Sequence, residues 1–147
     1  MPIRCEIVSQ DRLVFEGDAD IIVVPGVNGE MGILPHHAPL LSNLGFGILK
    51  IRHQGEEEVF AISGGVIEVQ PTIVTVLADA AENVMEIDIS RAEQAKRRAE
   101  KILQEGPPTD ADAYEAIEKQ LRKSNLRLQA AQRYRRRQRP PTSGEQG

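Results

Sequence analysis

The sequence IDISRA at residues 87–92 divides this chain into two parts, because the spacing of the apolar residues changes there. Upstream, short segments rich in Val and Ile alternate with polar residues, which is typical of β-strands. Downstream, small and apolar residues recur at the spacing of one helix face, at Ala92, Ala95, Ala99 and Ile102. Ser90 and Glu93 have the spacing of a capping box, which predicts that a helix begins there.

The downstream part predicts two helices joined by a short loop. Gly106 is followed by Pro107 and Pro108, so we expect the first helix to end there with Gly106 in a left-handed cap. Thr109 or Asp110 can cap the second helix. Its narrow apolar stripe consists of Ala113, Ile117, Leu121, Ser124 and Leu128. We therefore predict an antiparallel helical hairpin over residues 87–139, followed by a disordered polar tail over residues 140–147.

The upstream part, residues 1–86, predicts a separate β domain. Its apolar segments are short and are separated by turn signals such as Asn28-Gly29 and Gly64-Gly65, with no helical period between them. Such spacing favours an antiparallel sandwich. The predicted fold class is thus α+β, with an N-terminal antiparallel β-sandwich of about ten short strands followed by a C-terminal α-helical hairpin.

The charge divides at the same place as the pattern. Residues 1–86 carry four Lys and Arg against thirteen Asp and Glu, a net charge of −9, whereas residues 87–147 carry fourteen against nine, a net charge of +5. An acidic β domain with a basic helical arm suggests a protein that docks through one part and reaches a partner with the other. The chain has no Trp, two Tyr and three Phe, so few rings can stack on bases.

The chain shows no sign of membrane insertion or of disulfide chemistry. No apolar run approaches the roughly 20 residues that a spanning helix needs, and residues 1–6 lack the pattern of a signal peptide. We therefore expect no direct membrane insertion. The single cysteine, Cys5, lies in an alternating segment and is expected to be a small core residue.

No catalytic constellation or phosphate-binding loop motif is evident, so a binding or regulatory protein is favoured over an enzyme. One competing hypothesis is a small enzyme that uses His36, His37 and Glu30 around the proline-flanked loop. Another is a nucleic-acid-binding module that uses the Arg-rich end at residues 133–139. The acidic β domain and the few aromatic residues argue against nucleic acid. Adjacent histidines with no Cys cluster are a weak metal signal.

The junction itself has the parts of a nucleotide site. A helix N-terminus offers unpaired N–H groups to an anion, and Arg91 adds a planar fork of donors for phosphate. Glu82 and Asp88 could accept hydrogen bonds from an amine or a sugar hydroxyl. On residue types alone a simple helix cap is the favoured interpretation, in which Asp88 and Ser90 accept backbone N–H groups and Arg91 is solvated, because capping signals are common.

Three stretches of the chain closely resemble the epsilon subunits of bacterial rotary F-type ATP synthases. They are IVSQDRLVFEG at residues 7–17, GEMGILPHHAPLL at residues 29–41, and SGGVIEV at residues 63–69, which is followed by VTVLA at residues 74–78. The order and spacing match over about residues 3–104. The resemblance implies a non-catalytic subunit of the central stalk that couples the gamma subunit to the c-ring for proton-driven ATP synthesis. It also implies a peripheral membrane protein on the cytoplasmic face of the bacterial cell membrane.

Partner contacts follow from the resemblance as further expectations. Glu30 matches a loop near the polar loops of the c-ring, and His37 matches a position near the gamma contact. In the family the hairpin either lies on the sandwich or extends toward the alpha and beta subunits, where it blocks ATP hydrolysis. The basic second helix, which includes Arg122 and Arg133, would then face an acidic segment of those subunits.

The resemblance also implies a candidate site for ATP as a regulatory ligand, with no cofactor required. Some members bind ATP through a motif that Ile87, Asp88, Arg91 and Ala92 reproduce here, and Glu82 matches a further acidic position. Two positions on the second helix complete such sites, and they are Lys123 and Arg127 in this chain. Lys123 stands where Arg is usual, so it offers a point charge rather than a planar fork.

Overall fold

A computed structural model of the chain describes residues 1–10 and 12–138. Within them, eight strands form one continuous sheet in the order β2-β1-β7-β6-β5-β3-β4, with β8 paired to β6. The strands are β1 Ile3–Ser9, β2 Arg12–Ala19, β3 Ile21–Gly26, β4 Gly29–Ile33, β5 Leu40–His53, β6 Glu56–Val69, β7 Ile73–Ala78 and β8 Ala81–Asn83. All pairs are antiparallel except β1 with β7, which is parallel.

The sandwich has eight strands among the described residues, whereas about ten were predicted, because two of the strands are long. β5 and β6 are 14 residues each, and β6 pairs with β8 through residues 60–62 but with β7 through residues 65–69. The prediction of a turn at Gly64-Gly65 is wrong, because both glycines lie inside β6, with φ of +89° and +137°. A Cβ at Gly65 would meet the carbonyl oxygen of Leu77, so the close approach of β7 requires glycine there.

The main core lies between the sandwich layers and follows from the alternation seen in the sequence. Ile3, Cys5 and Ile7 of β1 are fully buried, and the rings of Phe15 and Phe60 meet edge to face at 5.6 Å. Burying each large apolar side chain contributes roughly 1.5–3 kcal/mol. Cys5 is a core residue as predicted, and burial raises the pKa of its thiol to about 12.

The C-terminal part is the predicted helical hairpin. A 3₁₀ turn, Val84–Glu86, leads into α1 (Ile89–Glu105), and α2 spans Ala111–Gln138. The predicted Arg139 end and the tail at residues 140–147 lie outside the described residues.

The helix caps differ in part from the predicted ones. The N-cap of α1 is Asp88, whose Oδ1 accepts a hydrogen bond from the Arg91 N–H at 3.0 Å, so the Ser90–Glu93 capping box is wrong. Gly106 has φ −157°, not a left-handed conformation, and its N–H donates to the Ile102 carbonyl oxygen. Asp110 caps α2 through the Ala113 N–H, as one of the two predicted alternatives.

The hairpin lies against the sandwich through a second, smaller apolar cluster. Its buried members are Val59, Ala61, Val84, Ile87, Ala130, Ala131 and Tyr134. Ala130 and Ala131 have short side chains, so α2 approaches the strands closely. This is the folded-down arrangement of the arm. No helix in the described part of the chain has the length and apolarity needed to cross a membrane.

Candidate functional site

An open cleft of about 760 Å³ lies where the sandwich meets both helices. One wall comes from the β1–β2 turn and from residues 79–82 between β7 and β8, and the other comes from α1 and α2. The charged residues that line it are Arg12, Asp79, Glu82, Arg91, Arg98, Lys123 and Arg127. Residues distant in sequence are thus brought together by the folded-down hairpin.

Four of the six predicted nucleotide-binding residues line this cleft. Glu82 comes from β8, Arg91 from the first turn of α1, and Lys123 and Arg127 from one face of α2, four residues apart. The other two have different places. Asp88 caps α1, and Ala92 is a fully buried residue of α1 itself.

Arg127 and Glu82 form a two-pronged ion pair at the cleft. The guanidinium Nε lies 2.7 Å from Oε1 and Nη2 lies 3.1 Å from Oε2, with the side chains 18% and 32% exposed. Parallel charge-assisted hydrogen bonds of this kind are strong and directional. The pair therefore fastens α2 to β8, just before the linker of residues 84–88 that joins β8 to α1.

The cleft is positive although the whole chain is negative. Of the described residues that line it, five are Lys or Arg and two are Asp or Glu, whereas the chain has a formal net charge of −4. Arg91 also lies in the first turn of α1, where the helix N-terminus adds positive potential. An arrangement of clustered guanidinium groups with two carboxylates nearby suits a phosphorylated ligand that also carries hydroxyl or amine donors.

Sequence reasoning missed three arginines that the structure places at the cleft or against the segment joining β8 to α1. Arg98 lines the cleft seven residues after Arg91, so helical spacing could have found it. Arg12 lines the cleft because its partner Ser9 on β1 also pairs with Ala78 on β7, a strand that is distant in sequence. Arg135, which looked like part of a basic block, instead fastens the end of α2 to the linker.

The Arg135 contact is made to main-chain carbonyl groups. Its Nε and Nη2 donate to the Val84 oxygen at 3.2 and 2.8 Å, and Nη2 also donates to the Ile87 oxygen at 2.7 Å. Val84 and Ile87 bracket the segment that joins β8 to α1. Arg135 therefore forms a latch between the C-terminal part of α2 and the linker.

The predicted partner-contact residues are dispersed. Glu30 is exposed on β4, at one end of the sheet. His37 lies in the proline-flanked loop, with Nδ1 2.7 Å from the Ala38 carbonyl oxygen. The Arg122 guanidinium lies over the Phe46 ring at 4.3 Å, and that of Arg133 lies 5.2 Å from the Tyr134 ring.

Over residues 1–10 and 12–138, no group of three His, Cys, Asp or Glu side chains is placed to hold a metal ion.

Two family models match the chain in succession. The model described as ATP synthase, Delta/Epsilon chain, beta-sandwich domain matches residues 2–84, and the model described as ATP synthase, Delta/Epsilon chain, long alpha-helix domain matches residues 85–132. The boundary between them falls in the linker that Arg135 contacts.

Proteins named ATP synthase epsilon chain match most of this chain. The one from Dehalococcoides mccartyi is 44% identical over 133 residues, which cover 90% of this chain and 94% of that protein. The one from Halalkalibacterium halodurans is 41% identical over 131 residues, which cover 89% and 98%.

Solved structures agree with these matches. A chain in the Euglena gracilis mitochondrial ATP synthase (OSCP/F1/c-ring) aligns with a TM-score of 0.73 at 25% identity, covering 89% of this chain and 81% of that one. A chain in the Tetrahymena thermophila mitochondrial ATP synthase central stalk/c-ring shares the fold, with a TM-score of 0.60 at 16% identity and coverage of 88% and 96%. On this evidence the chain belongs to the ATP synthase delta/epsilon chain family.

Proposed function

We propose that this chain is the epsilon subunit of a bacterial F-type ATP synthase, a non-catalytic subunit of the central stalk. The observation that carries this proposal is the match of both domains, in order, over residues 2–132, together with relatives of that name that align over about 90% of the chain. As part of that complex it would be peripheral to the membrane, on the cytoplasmic face of the bacterial cell membrane.

The sandwich would couple the gamma subunit to the c-ring. Its dense core makes it suitable for transmitting torque, because close-packed interiors deform little. Glu30, exposed on β4, is the candidate contact to the c-ring, and His37 in the adjoining loop is a candidate contact to gamma.

An exposed apolar row supports a protein partner on one face of the sheet. Strand pairing places Leu13, Val8, Leu77 and Val66 side by side across β2, β1, β7 and β6. Leu13 and Leu77 are 53% and 55% exposed. Contiguous exposed apolar side chains on an otherwise acidic domain mark a docking surface, which we assign to gamma.

The cleft would bind ATP and hold the arm on the sandwich. Arg91, Lys123 and Arg127 provide cations from both helices, so a bound polyphosphate would attract α1 and α2 to the same ligand. Glu82 would accept from the sugar hydroxyls. Because Glu82 already binds Arg127, ATP would join an existing contact between β8 and α2.

The extended arm would inhibit ATP hydrolysis by contacting the alpha and beta subunits. In the folded-down arrangement Arg122 lies on Phe46 and Arg127 binds Glu82, so extension would release both cations for an acidic partner. A regulatory arm needs two states that differ by only a few kcal/mol, and the small alanine-rich contact with the sandwich is consistent with such a balance.

The test is calorimetric titration of the isolated chain with ATP. Arg91→Ala removes a charge-assisted hydrogen bond of about 1.5–3 kcal/mol, so we expect roughly ten- to hundredfold weaker binding. Arg97→Ala is the matched control, because Arg97 is exposed on α1 but does not line the cleft. Equal affinity in wild type and Arg91→Ala, or no binding heat at millimolar ATP, would contradict the proposed nucleotide site.

A further inference from the structure

The β1–β2 turn brings a cation of the sandwich into the cleft. Ser9 and Arg12 face each other across the turn, and Ser9 is also paired with Ala78 at the end of β7. The chain continues from Ala78 through Asp79 to Glu82, all along one wall of the cleft. Arg12 is therefore held beside the cleft by strand pairing rather than by the helices.

The two ends of this wall carry different charged groups. At the end formed by β8, Glu82 is bound to Arg127. At the end formed by the β1–β2 turn, Arg12 lies near the last residues of β7, where Asp79 is the neighbouring carboxylate. The opposite wall on α1 extends about 10 Å from Arg91 to Arg98 at 1.5 Å per residue, so several linked phosphate groups can lie along it.

The guanidinium groups of this region are available to a ligand. Among the residues that the structure describes, no carboxylate forms an ion pair with Arg12, Arg91 or Arg98, whereas Arg127 is paired with Glu82. Among the described residues that line the cleft, these three guanidinium groups outnumber the carboxylates of Asp79 and Glu82, and the resulting positive potential attracts an anion.

We propose that Arg12 binds the phosphate end of the nucleotide, so that the ligand is held by three elements: the β1–β2 turn, α1 and α2. This inference rests on the proposed nucleotide site and assigns its direction, with the nucleoside toward Glu82 and the phosphates toward Arg12. It makes Arg12 the residue that selects for a long phosphate chain. On this placement a nucleoside monophosphate bound at Glu82 would make no phosphate contact with Arg12, whereas the longer phosphate chain of a triphosphate would extend to it. The ligand thereby fastens the arm directly to the sandwich.

Calorimetry with ATP and with AMP tests this assignment on the full chain. Arg12→Ala should weaken ATP binding about tenfold and leave AMP affinity unchanged within about twofold. Arg97→Ala, with the same change of charge outside the cleft, should leave both affinities unchanged. Because Arg12 is exposed, its replacement should not alter thermal unfolding.

The outcomes separate this inference from the proposed function. If wild type binds ATP and Arg12→Ala binds it equally well, Arg12 makes no phosphate contact and the inference is wrong. If ATP and AMP lose affinity equally, Arg12 does not select the phosphate chain, which also overturns it. If wild type binds neither nucleotide, the nucleotide site fails and this inference fails with it. Inorganic triphosphate, added in place of ATP, should bind more weakly than ATP if the nucleoside end is recognised at Glu82.

Discussion

Arg127 and Glu82 are joined by two hydrogen bonds of 2.7 and 3.1 Å, and this pair connects the second helix to the last strand of the sandwich. Both side chains are partly shielded from water, so the interaction is stronger than that of a typical surface ion pair. The contact combines two functions in one place, because it fastens the arm and lies in the wall of the candidate nucleotide cleft.

We expect a double-mutant cycle of Glu82→Gln and Arg127→Gln to give a coupling free energy of about 1–2 kcal/mol. The measurement is the free energy for opening the arm, taken from amide hydrogen exchange of α2 in the isolated chain. The Glu115–Lys119 pair, which is exposed and lies within α2, is the matched control and should couple by less than about 0.5 kcal/mol. Equal coupling in both pairs would show that Glu82 and Arg127 do not hold the arm.

The Arg135 latch predicts a second, independent effect. Arg135→Ala removes the hydrogen bonds to the carbonyl oxygens of Val84 and Ile87. Hydrogen exchange should become at least about tenfold faster in the C-terminal turns of α2, since a charge-assisted hydrogen bond contributes roughly 1.5–3 kcal/mol.

Arg133→Ala is the control for the latch. Arg133 carries the same charge on the same helix, but its ring contact is with Tyr134 of α2 itself. Exchange rates that rise as much in Arg133→Ala as in Arg135→Ala would indicate a general loss of helix stability rather than loss of a latch.

The exposed apolar row predicts how gamma binds. Replacing Leu13 and Leu77 together with Ser should weaken gamma binding by more than tenfold, because each buried leucine contributes roughly 1.5–3 kcal/mol at an interface. Surface plasmon resonance with a purified gamma subunit measures this. Val27→Ser is the control, since Val27 is equally exposed but lies on the β3–β4 turn. Unchanged affinity in the double variant would show that gamma does not bind to this apolar row.

Removal of the arm predicts separable functions for the two domains. A chain ending at Glu86 retains all eight strands and the main core, so it should fold and bind gamma. It loses Ile87, Ala130, Ala131 and Tyr134 from the second cluster, so we expect lower stability by a few kcal/mol. ATP hydrolysis by the reconstituted enzyme should rise. A truncated chain that binds gamma but leaves hydrolysis unchanged would contradict inhibition by the arm.

Local patterns in the sequence predicted most of the fold. The change of period at residues 87–92 spans the start of α1, which begins at Ile89, because strand and helix spacing are local properties. The capping box at Ser90 was wrong, because Asp88 and Ser90 both have side chains that can cap and α1 uses Asp88, the other residue named for a simple cap. Gly64-Gly65 was taken for a turn because glycine has the same sequence signal whether it makes a turn or admits a neighbouring strand.

The candidate site was only partly predictable, because its residues come from segments that are far apart in the sequence. Arg91 and Arg127 were found through a short motif and a family resemblance, and Arg98 was within reach of helical spacing. Arg12 and Arg135 depend on strand register and on the docking of α2, which no local pattern contains. Long-range pairings of this kind follow from the whole fold rather than from any segment.

The most direct test of the account is a distance measurement between the arm and the sandwich, with and without ATP. Spin labels at Glu58→Cys and Gln120→Cys, both exposed positions, report the separation of β6 and α2, while the buried Cys5 stays unlabelled. We predict that saturating ATP narrows the distribution to the single folded-down distance, and that Arg91→Ala abolishes this effect. A distribution that ATP leaves unchanged, in a wild-type chain with an arm that is free to open, would contradict the account.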